Sequence, residues 1–368
     1  MHFGPLTRVV LPALVLTMGL AACAPVAPTA DATTATSAST ATAAVELGGI
    51  KDFLLAQSEA LLADTADLQA ASDRYFALAQ QYNGDYSALW QGESAAVAAE
   101  LAAARAAWIA ASPAYERTEG IVAGTPSLAH FDVILDAGAS GAEDPANAAP
   151  IDLTLADGRV LTRPGNLFGV AESTLWGTEP TYSAGVEADL DGDGAIQFSD
   201  SLPDANVLKA AADALHATAA ELLAAAQTWQ PSQTDAFTAL VVMVPTMSEY
   251  FASWRDSRFV AGDASTQRDF VVISRLADVQ DILSGLQVVY AELQPLATSA
   301  NADQAVMVSA GLEDLKSFVA DIATDEAEGR RFTPEEADIL GAEAQNRATA
   351  LTGQISQIAA LLGIEIQE

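Results

Sequence analysis

Apolar residues recur every three or four positions through most of this chain. Residues 50–82 and 86–115 form the first two long segments of this kind, and both are rich in Ala and Leu. This period and composition predict amphipathic helices. The second half of the chain repeats the pattern, which indicates an all-α protein built from helical bundles. The later predicted helices cover residues 206–229, 234–259, 268–296, 302–327 and 334–362.

Some of these helices have recognisable ends or breaks. Thr333 can cap the last helix, with Pro334 at its first position and Glu336 completing a capping box. Pro245 falls inside an apolar segment, where it removes a backbone donor and should kink or divide the helix.

One central stretch has the period of a strand instead. Residues 151–165 alternate apolar and polar side chains on both sides of the pair Asp157 and Gly158. Asp-Gly is a favoured two-residue turn between antiparallel strands. We therefore predict a small β-hairpin on a long connection between helices.

The N-terminus has the pattern of a bacterial lipoprotein signal. Arg8 precedes a short apolar run that ends at Leu20-Ala-Ala-Cys23, and Cys23 is the chain's single cysteine. We expect residues 1–22 to be removed, Cys23 to be acylated, and residues 23–46, which are rich in Ala and Thr, to form a flexible tether. Ala24 follows the cysteine in place of Asp, which favours the outer membrane of a Gram-negative bacterium, with the protein facing the periplasm.

Charge excludes one class of function. The chain has 49 acidic and 16 basic residues and a net charge of −33. Such a surface repels DNA and RNA, so nucleic-acid binding is not expected. Most of these charges are explained by a solvated acidic coat that keeps the protein soluble, and cations are the natural small partners.

An acidic loop in the centre has the spacing of a calcium-binding loop. Residues 189–200 place carboxylates at positions 1, 3, 5 and 12, glycine at position 6 and the apolar Ile196 at position 8, where it should face the core. Asp at position 12 is shorter than the usual Glu, and an ordinary acidic surface loop is the alternative. A single loop of this type suggests a structural Ca²⁺ that fastens the connection to the helix beginning near Pro203. The predicted ligands are Asp189, Asp191, Asp193, Ala195 through its carbonyl, Gln197 and Asp200.

A second group of acids is spread along the sequence. Glu116 and Glu119 are three residues apart on a predicted helix and should share one face, where they repel each other unless a cation or proton lies between them. His130, Asp132 and Asp136 follow within a short segment. Spacing alone does not show whether the fold brings these groups together.

These residues and their neighbours resemble the imelysin-like family. The resemblance is carried by residues 108–124, with their Trp, Tyr and Thr-Glu positions, and by the segment Gly169-Val-Ala-Glu172-Ser-Thr-Leu-Trp-Gly177. It extends over most of residues 47–365 and implies two helical bundles fused in tandem, with a boundary near residues 140–205. Aligned on the Leu-Trp-Gly triplet, the family's Gly-x-His-x-x-Glu falls on Leu167, Gly169 and Glu172, so the glutamate is present and the histidine is replaced.

The resemblance also implies a metal site. Its ligands would be Glu116, Glu119, Asp132 and Glu172, with Gly169 where the histidine is expected. Four oxygen ligands without imidazole favour a hard cation such as calcium or ferric iron over zinc. His130 could substitute for the missing histidine only if the local geometry turned it inward.

Enzyme signatures are scarce in this sequence. His-Glu-x-x-His, Gly-x-Ser-x-Gly, a phosphate loop and a dinucleotide fingerprint are all absent, and after signal cleavage only His130 and His216 remain as histidines. We therefore expect a non-catalytic lipoprotein that binds a metal or a metal-containing ligand in iron or other metal uptake, with an outer-membrane receptor as a candidate partner. The alternatives are a divergent metallopeptidase of the imelysin type and a partner-binding lipoprotein with a decayed metal site.

Basic residues are concentrated in one region. Arg255, Arg258, Arg268 and Arg275 lie close together in the sequence beside Tyr250 and Trp254. The first interpretation is a set of salt bridges to the excess of acids. The second is a docking patch for an anionic ligand, formed by Arg255, Arg258 and Arg275.

Overall fold

Helices dominate the computed structural model, which describes residues 46–367. The predicted signal peptide, Cys23 and nearly all of the tether lie outside the described residues. The all-α prediction is confirmed, and the only sheets among the described residues are two small hairpins. The α-helices are α1 (Gly48–Gln81), α2 (Tyr86–Val122), α3 (Ala129–Asp132), α4 (Leu167–Leu175), α5 (Ala205–Thr228), α6 (Gln233–Met243), α7 (Met247–Asp256), α8 (Arg258–Ala261), α9 (Arg275–Ala300), α10 (Ala302–Ala327) and α11 (Pro334–Leu362).

Two groups of helices share one hydrophobic core. Helix α1 packs against α2 and α5, and in the second group α10 packs against α9 and α11, while α11 packs against α7. Helix α2 also packs against α9 and so joins the two groups. By length and composition, α2 and the segment Gln233–Asp256 are apolar enough to cross a membrane, but both supply buried side chains to this core.

The helix ends confirm the local signals in the sequence. Thr333 and Glu336 form the reciprocal capping box at the start of α11. Pro245 lies in a 3₁₀ turn, Val244–Thr246, that separates α6 from α7. A proline ring cannot continue the helical hydrogen-bond ladder, and the predicted single helix is therefore divided.

One predicted helix starts later than expected. The sequence period suggested a helix from residue 268, but α9 begins at Arg275, where the Ser274 hydroxyl accepts the N–H of Leu276. Residues 268–274, which we call the strap, are irregular, and Phe270 has a positive φ of 56°. The β-branched run of Val271, Val272 and Ile273 has a low helix propensity, so the serine cap sets the start of the helix.

The central connection contains both hairpins. The predicted one forms between β1 (Asp152–Thr154) and β2 (Val160–Thr162), with Gly158 at φ 89° in its turn. The second pairs β3 (Ser183–Glu187) with β4 (Ser201–Pro203) and encloses the acidic loop. Asp204 caps α5 directly after β4, so the loop leads into a strand before the expected helix.

Candidate metal centre

The C-terminal part of α2 brings two glutamates into the interior. Glu116 and Glu119 lie on one helix face, as their spacing predicts, and are only 3% and 4% exposed. Asp136 joins them from a π-helical turn, Val133–Ala137, that continues α3. One carboxylate oxygen from each of these three residues lies within 4.8 Å of the others. Three buried carboxylates so close together require protons or cations between them.

Two tyrosines orient this group. The Tyr250 hydroxyl donates to Glu119 Oε1 at 2.6 Å, and the Tyr115 hydroxyl donates to Asp132 Oδ1 at 2.6 Å. Both hydroxyls thus donate short hydrogen bonds to oxygens of buried carboxyl groups. Burial raises the pKa of both tyrosines well above the ordinary value, so their hydroxyls remain donors. Asp132 lies beside the three-carboxylate group and lines the same cleft as Glu119 and Asp136.

A buried arginine supplies the positive charge. Arg275 Nη1 lies 2.9 Å from Asp278 Oδ2 and 3.5 Å from Glu116 Oε1, and Nη2 lies 3.4 Å from Asp136 Oδ2. Its guanidinium carbon stands 3.8 Å from the centre of the Phe270 ring, which lies on the strap. The sequence left two interpretations of Arg275, salt bridges to acids and an anion-binding patch, and the structure places it among acids.

The acids outnumber this single arginine. Burial raises the pKa of Asp132 to about 7 and that of Asp278 to about 6. Burial, followed by the charges of neighbouring carboxylates, also raises the pKa of Glu116 well above its ordinary range. Burial has the same effect on Asp136, although the Arg275 charge opposes it. Without another cation, the cluster is therefore expected to retain protons near neutral pH. The acidic cluster consists of Glu116, Glu119, Asp132, Asp136 and Asp278.

Two oxygens of this cluster have no hydrogen-bond partner in the described part of the chain. Glu116 Oε2 and Glu119 Oε2 are buried and have no hydrogen-bond partner within residues 46–367. A buried acceptor without a partner is unfavourable by about 1–3 kcal/mol, and more if it is charged. A metal ion coordinated by these oxygens would remove that penalty. The donor set consists of oxygens only, which fits a hard cation.

A cleft connects the cluster to the surface. It has a volume of about 440 Å³ and is lined by Glu119, Asp132 and Asp136, together with Tyr250 and Arg275. On the other side, Glu116 and Asp136 face a void of about 10 Å³, which they share with Glu172. A void of that size accommodates at most one water molecule.

Glu172 has a different environment from the other predicted ligands. Its side chain is 1% exposed, and its two oxygens accept the backbone N–H groups of Phe270, Val271 and Val272 at 2.6, 2.9 and 3.1 Å. Burial and the nearby Asp269 raise its pKa to about 8, although the three N–H donors act in the opposite direction. The structure thus brings Glu119 and Asp132 to the cleft and places Glu116 in the same cluster, where it lines the small void. Glu172 anchors the strap.

The position of the missing histidine is filled by the strap. A Cβ atom built on Gly169 would lie 2.6 Å from Asp269 Oδ2 and 3.2 Å from Asp269 Cβ. The first distance is too short for a non-bonded contact and the second is tight, so any side chain at residue 169 requires the Asp269 carboxylate to move. Arg268 holds the adjacent backbone in place by donating to the Pro164 carbonyl at 2.8 Å.

Neither described histidine belongs to this cluster. His130 is exposed and stacks on Phe131, with ring centres 4.1 Å apart. It therefore does not turn inward to replace the missing imidazole. His216 lies on α5, where its Nδ1 is 3.2 Å from the Thr65 hydroxyl.

The remaining arginines form salt bridges. Arg255 pairs with Asp256 and Asp338, and Arg258 pairs with Asp263. With Arg275 buried among carboxylates, all three arginines of the predicted anionic-ligand patch are engaged by acids of the chain itself. The salt-bridge interpretation of these residues therefore describes them better than the docking patch does.

The acidic loop is folded but exposed. Asp189, Asp191 and Asp193 each place one oxygen within 4.8 Å of the others. Local N–H groups already occupy these side chains: Asp189 accepts from Gly192 and Gly194 at 2.8 and 2.9 Å. Ile196 is 52% exposed, so the expectation that it faces the core is wrong, because the loop protrudes between β3 and β4. The other predicted ligands form local contacts: Asp193 accepts from Ala195 N–H and from the Gln197 side chain, and the buried Asp200 accepts from Gln197 N–H.

Sequence comparison assigns the family. Among curated proteins, no match to this chain was found. The family model described as Imelysin, whose name places it among the peptidases, matches residues 54–358. That range runs from α1 to the last turns of α11 and includes the whole acidic cluster. The chain therefore belongs to the imelysin family.

Proposed function

We propose that this imelysin-family protein binds a hard metal cation through Glu116, Glu119 and Asp136, with Asp132 beside them, and that it catalyses no reaction. The observation that carries the proposal is the pair of buried, unpartnered oxygens of Glu116 and Glu119. They belong to a cluster in which carboxylates outnumber positive charges. A cation entering through the cleft would satisfy both oxygens and replace the retained protons.

The donor set favours binding over peptide hydrolysis. Catalytic zinc sites use histidine or cysteine ligands together with carboxylates and keep one position for an activated water. Within the described chain, the acidic cluster contains no histidine, and His130 and His216 lie elsewhere. Calcium or ferric iron matches these oxygens better than zinc does.

The place of action that we propose rests on the sequence. Acylation of Cys23 would attach the protein to the outer membrane, and the tether would let the helical domain face the periplasm. There it would take part in iron or other metal uptake, with an outer-membrane receptor as a candidate partner. Metabolic labelling with a palmitate analogue tests the anchor, because Cys23→Ser should abolish labelling and release the protein from membranes.

Metal counting tests the binding function. The full chain carrying Asp191→Ala, which disables the predicted calcium loop, would be stripped with chelator and reloaded separately with Ca²⁺ and ferric citrate. We expect the protein to retain one ion of at least one metal. Adding the two substitutions Glu116→Gln and Glu119→Gln to this protein should abolish retention of the metal, because they remove two of the three carboxylate ligands.

A control and a second assay complete this test. Glu93→Gln changes an exposed glutamate on the same helix and should leave retention unchanged. Equal metal content with and without the Glu116 and Glu119 substitutions would overturn the proposed site. Metal-dependent cleavage of casein by the reloaded protein would favour a divergent metallopeptidase instead, and folded protein that retains neither metal would favour a decayed site.

A further inference from the structure

We infer that Arg275 is an exchangeable internal cation: its guanidinium neutralises the acidic cluster until a metal binds, and the metal then displaces it into the cleft. This inference rests on the proposed metal binding and adds how the site is kept stable without metal. It also assigns a residue that sets the affinity of the site for cations.

The contacts of Arg275 are those of a replaceable partner. Only Asp278 lies at an ideal hydrogen-bond distance, 2.9 Å, whereas the nearest oxygens of Asp136 and Glu116 are 3.4 and 3.5 Å away. The buried Arg275 Nε has no acceptor in the part of the chain that the structure describes. A permanently fixed buried arginine is normally held by bidentate pairs with its donors satisfied. Arg275 instead relies on one close carboxylate and on stacking against Phe270.

A metal and this guanidinium would compete for the same acids. Glu116 and Asp136 are two of the three carboxylates that can converge on one ion, and both are also partners of Arg275. An ion bound there would stand within a few ångströms of the guanidinium. Two positive charges at that separation repel strongly in a buried environment, so binding of the metal disfavours Arg275 in its present position.

The cleft offers the displaced side chain a place to go. Arg275 lines the cleft, and so do Glu143, Glu249 and Asp269, none of which belongs to the acidic cluster. In the proposed exchange, the arginine side chain turns toward these acids while its backbone remains at the start of α9. That backbone position follows the irregular strap, which is not constrained by a helical hydrogen-bond ladder.

Calorimetry on two variants tests the exchange. In the full chain carrying Asp191→Ala, we would titrate Ca²⁺ into the protein with and without Arg275→Gln, after chelator treatment. Removing the internal competitor should tighten Ca²⁺ binding by about tenfold or more. Arg255→Gln removes an arginine that pairs with exposed acids and should leave the affinity unchanged. A residue with a purely structural role would not tighten binding when removed.

A second measurement uses the arginine itself and does not depend on the variant folding. In protein labelled with ¹⁵N-arginine, the Nε–H signal of Arg275 should exchange slowly with solvent before Ca²⁺ is added and faster after saturation. Saturation with no change in this signal, or equal Ca²⁺ affinity of the folded Arg275→Gln protein, would overturn the inference and leave the metal site intact. Absence of Ca²⁺ uptake by both proteins would overturn the inference and also count against the site.

Discussion

The acidic cluster and the acidic loop both hold groups of carboxylate side chains, but those of the cluster are buried and the three that converge in the loop lie near or at the surface. In the loop, Asp189, Asp191 and Asp193 lie near or at the surface, and neighbouring backbone N–H groups occupy them. In the cluster, Glu116 and Glu119 are almost fully buried and keep one oxygen each without a partner among residues 46–367. Loop spacing matches a known ion-binding pattern residue by residue, whereas the cluster is indicated in the sequence only by the family resemblance and the spacing of its two glutamates. Buried oxygens without a partner therefore occur where the local sequence pattern is weaker.

Glu172 represents a third environment. It is a buried carboxylate, and both of its oxygens accept hydrogen bonds from the chain itself. Three backbone N–H groups of the strap converge on it. The comparison thus separates carboxylates that hold structure, carboxylates that are buried with an unpartnered oxygen, and carboxylates that are solvated. Each class should respond differently when it is changed.

The largest effect is expected from Glu172→Ala. This change leaves three N–H groups without their acceptor and opens a cavity, so we expect a loss of roughly 3–5 kcal/mol in the free energy of unfolding. Urea denaturation in the presence of chelator would measure it. Asp191→Ala in the same buffer should change stability by less than about 0.5 kcal/mol. Similar losses from the two variants would contradict the distinction between structural and solvated carboxylates.

The pH dependence should follow the buried carboxylates. Burial raises the pKa of Glu172 from 4.5 to about 8, so the folded state keeps a proton that the unfolded chain releases. Its contribution to stability is complete below pH 4.5 and is lost as the pH rises through about 8. In chelator, the urea concentration at the unfolding midpoint should fall as the pH is raised from about 5 to about 8.5. It should fall less steeply in Glu172→Gln. Glu93→Gln should retain the full slope, and an unchanged slope in Glu172→Gln would refute the assignment.

An intermediate effect is expected from Tyr250→Phe. The lost hydroxyl donates to Glu119 Oε1, so its removal leaves a second oxygen of a buried carboxylate without a partner and should destabilise the metal-free protein by about 1.5–3 kcal/mol. Tyr290→Phe is the matched control, because that hydroxyl donates to the neutral Ala305 carbonyl and should contribute about 0.5–1.5 kcal/mol. Thermal unfolding of both variants would rank them. The reverse order would contradict the expected cost of leaving a second Glu119 oxygen without a donor.

The smallest effect belongs to the calcium loop. Asp191→Ala should lower stability only when Ca²⁺ is present, by roughly 1.4 kcal/mol at about ten times the dissociation constant. Melting curves in Ca²⁺ and in chelator would show the difference. An equal shift of the melting temperature in both buffers would show that Asp191 acts by accepting the hydrogen bond from Asp193 N–H and not as a Ca²⁺ ligand.

Local chemistry accounts for what the sequence could predict. The helical period, the capping box at Thr333, the break at Pro245 and the Asp-Gly hairpin each depend on a few neighbouring residues, and the structure confirms all four. Helical spacing also placed Glu116 and Glu119 on one face. The start of α9 was missed because the apolar period continues through the strap, although its β-branched run and Ser274 were signals of a boundary.

Long-range packing accounts for what the sequence could not predict. Arg275 meets Asp136 from a separate helix, and Tyr250 reaches Glu119 from α7. No local period links these residues. Glu172 was predicted to be a ligand from the family resemblance. The N–H groups of the strap that occupy both of its oxygens lie 98 to 100 residues further along the chain, where no local pattern links them to it. Ile196 was expected in the core because the loop was compared with one that precedes a helix, whereas here a strand follows.

The anchoring of the strap by backbone groups has an evolutionary consequence. Glu172 contacts the N–H groups of residues 270–272, and every amino acid except proline carries such a group. Apart from Phe270, whose ring stacks on Arg275, the side chains of the strap can therefore vary without loss of the anchor. The side chains that the strap contributes to the cleft can change in this way while its backbone stays attached to the fold.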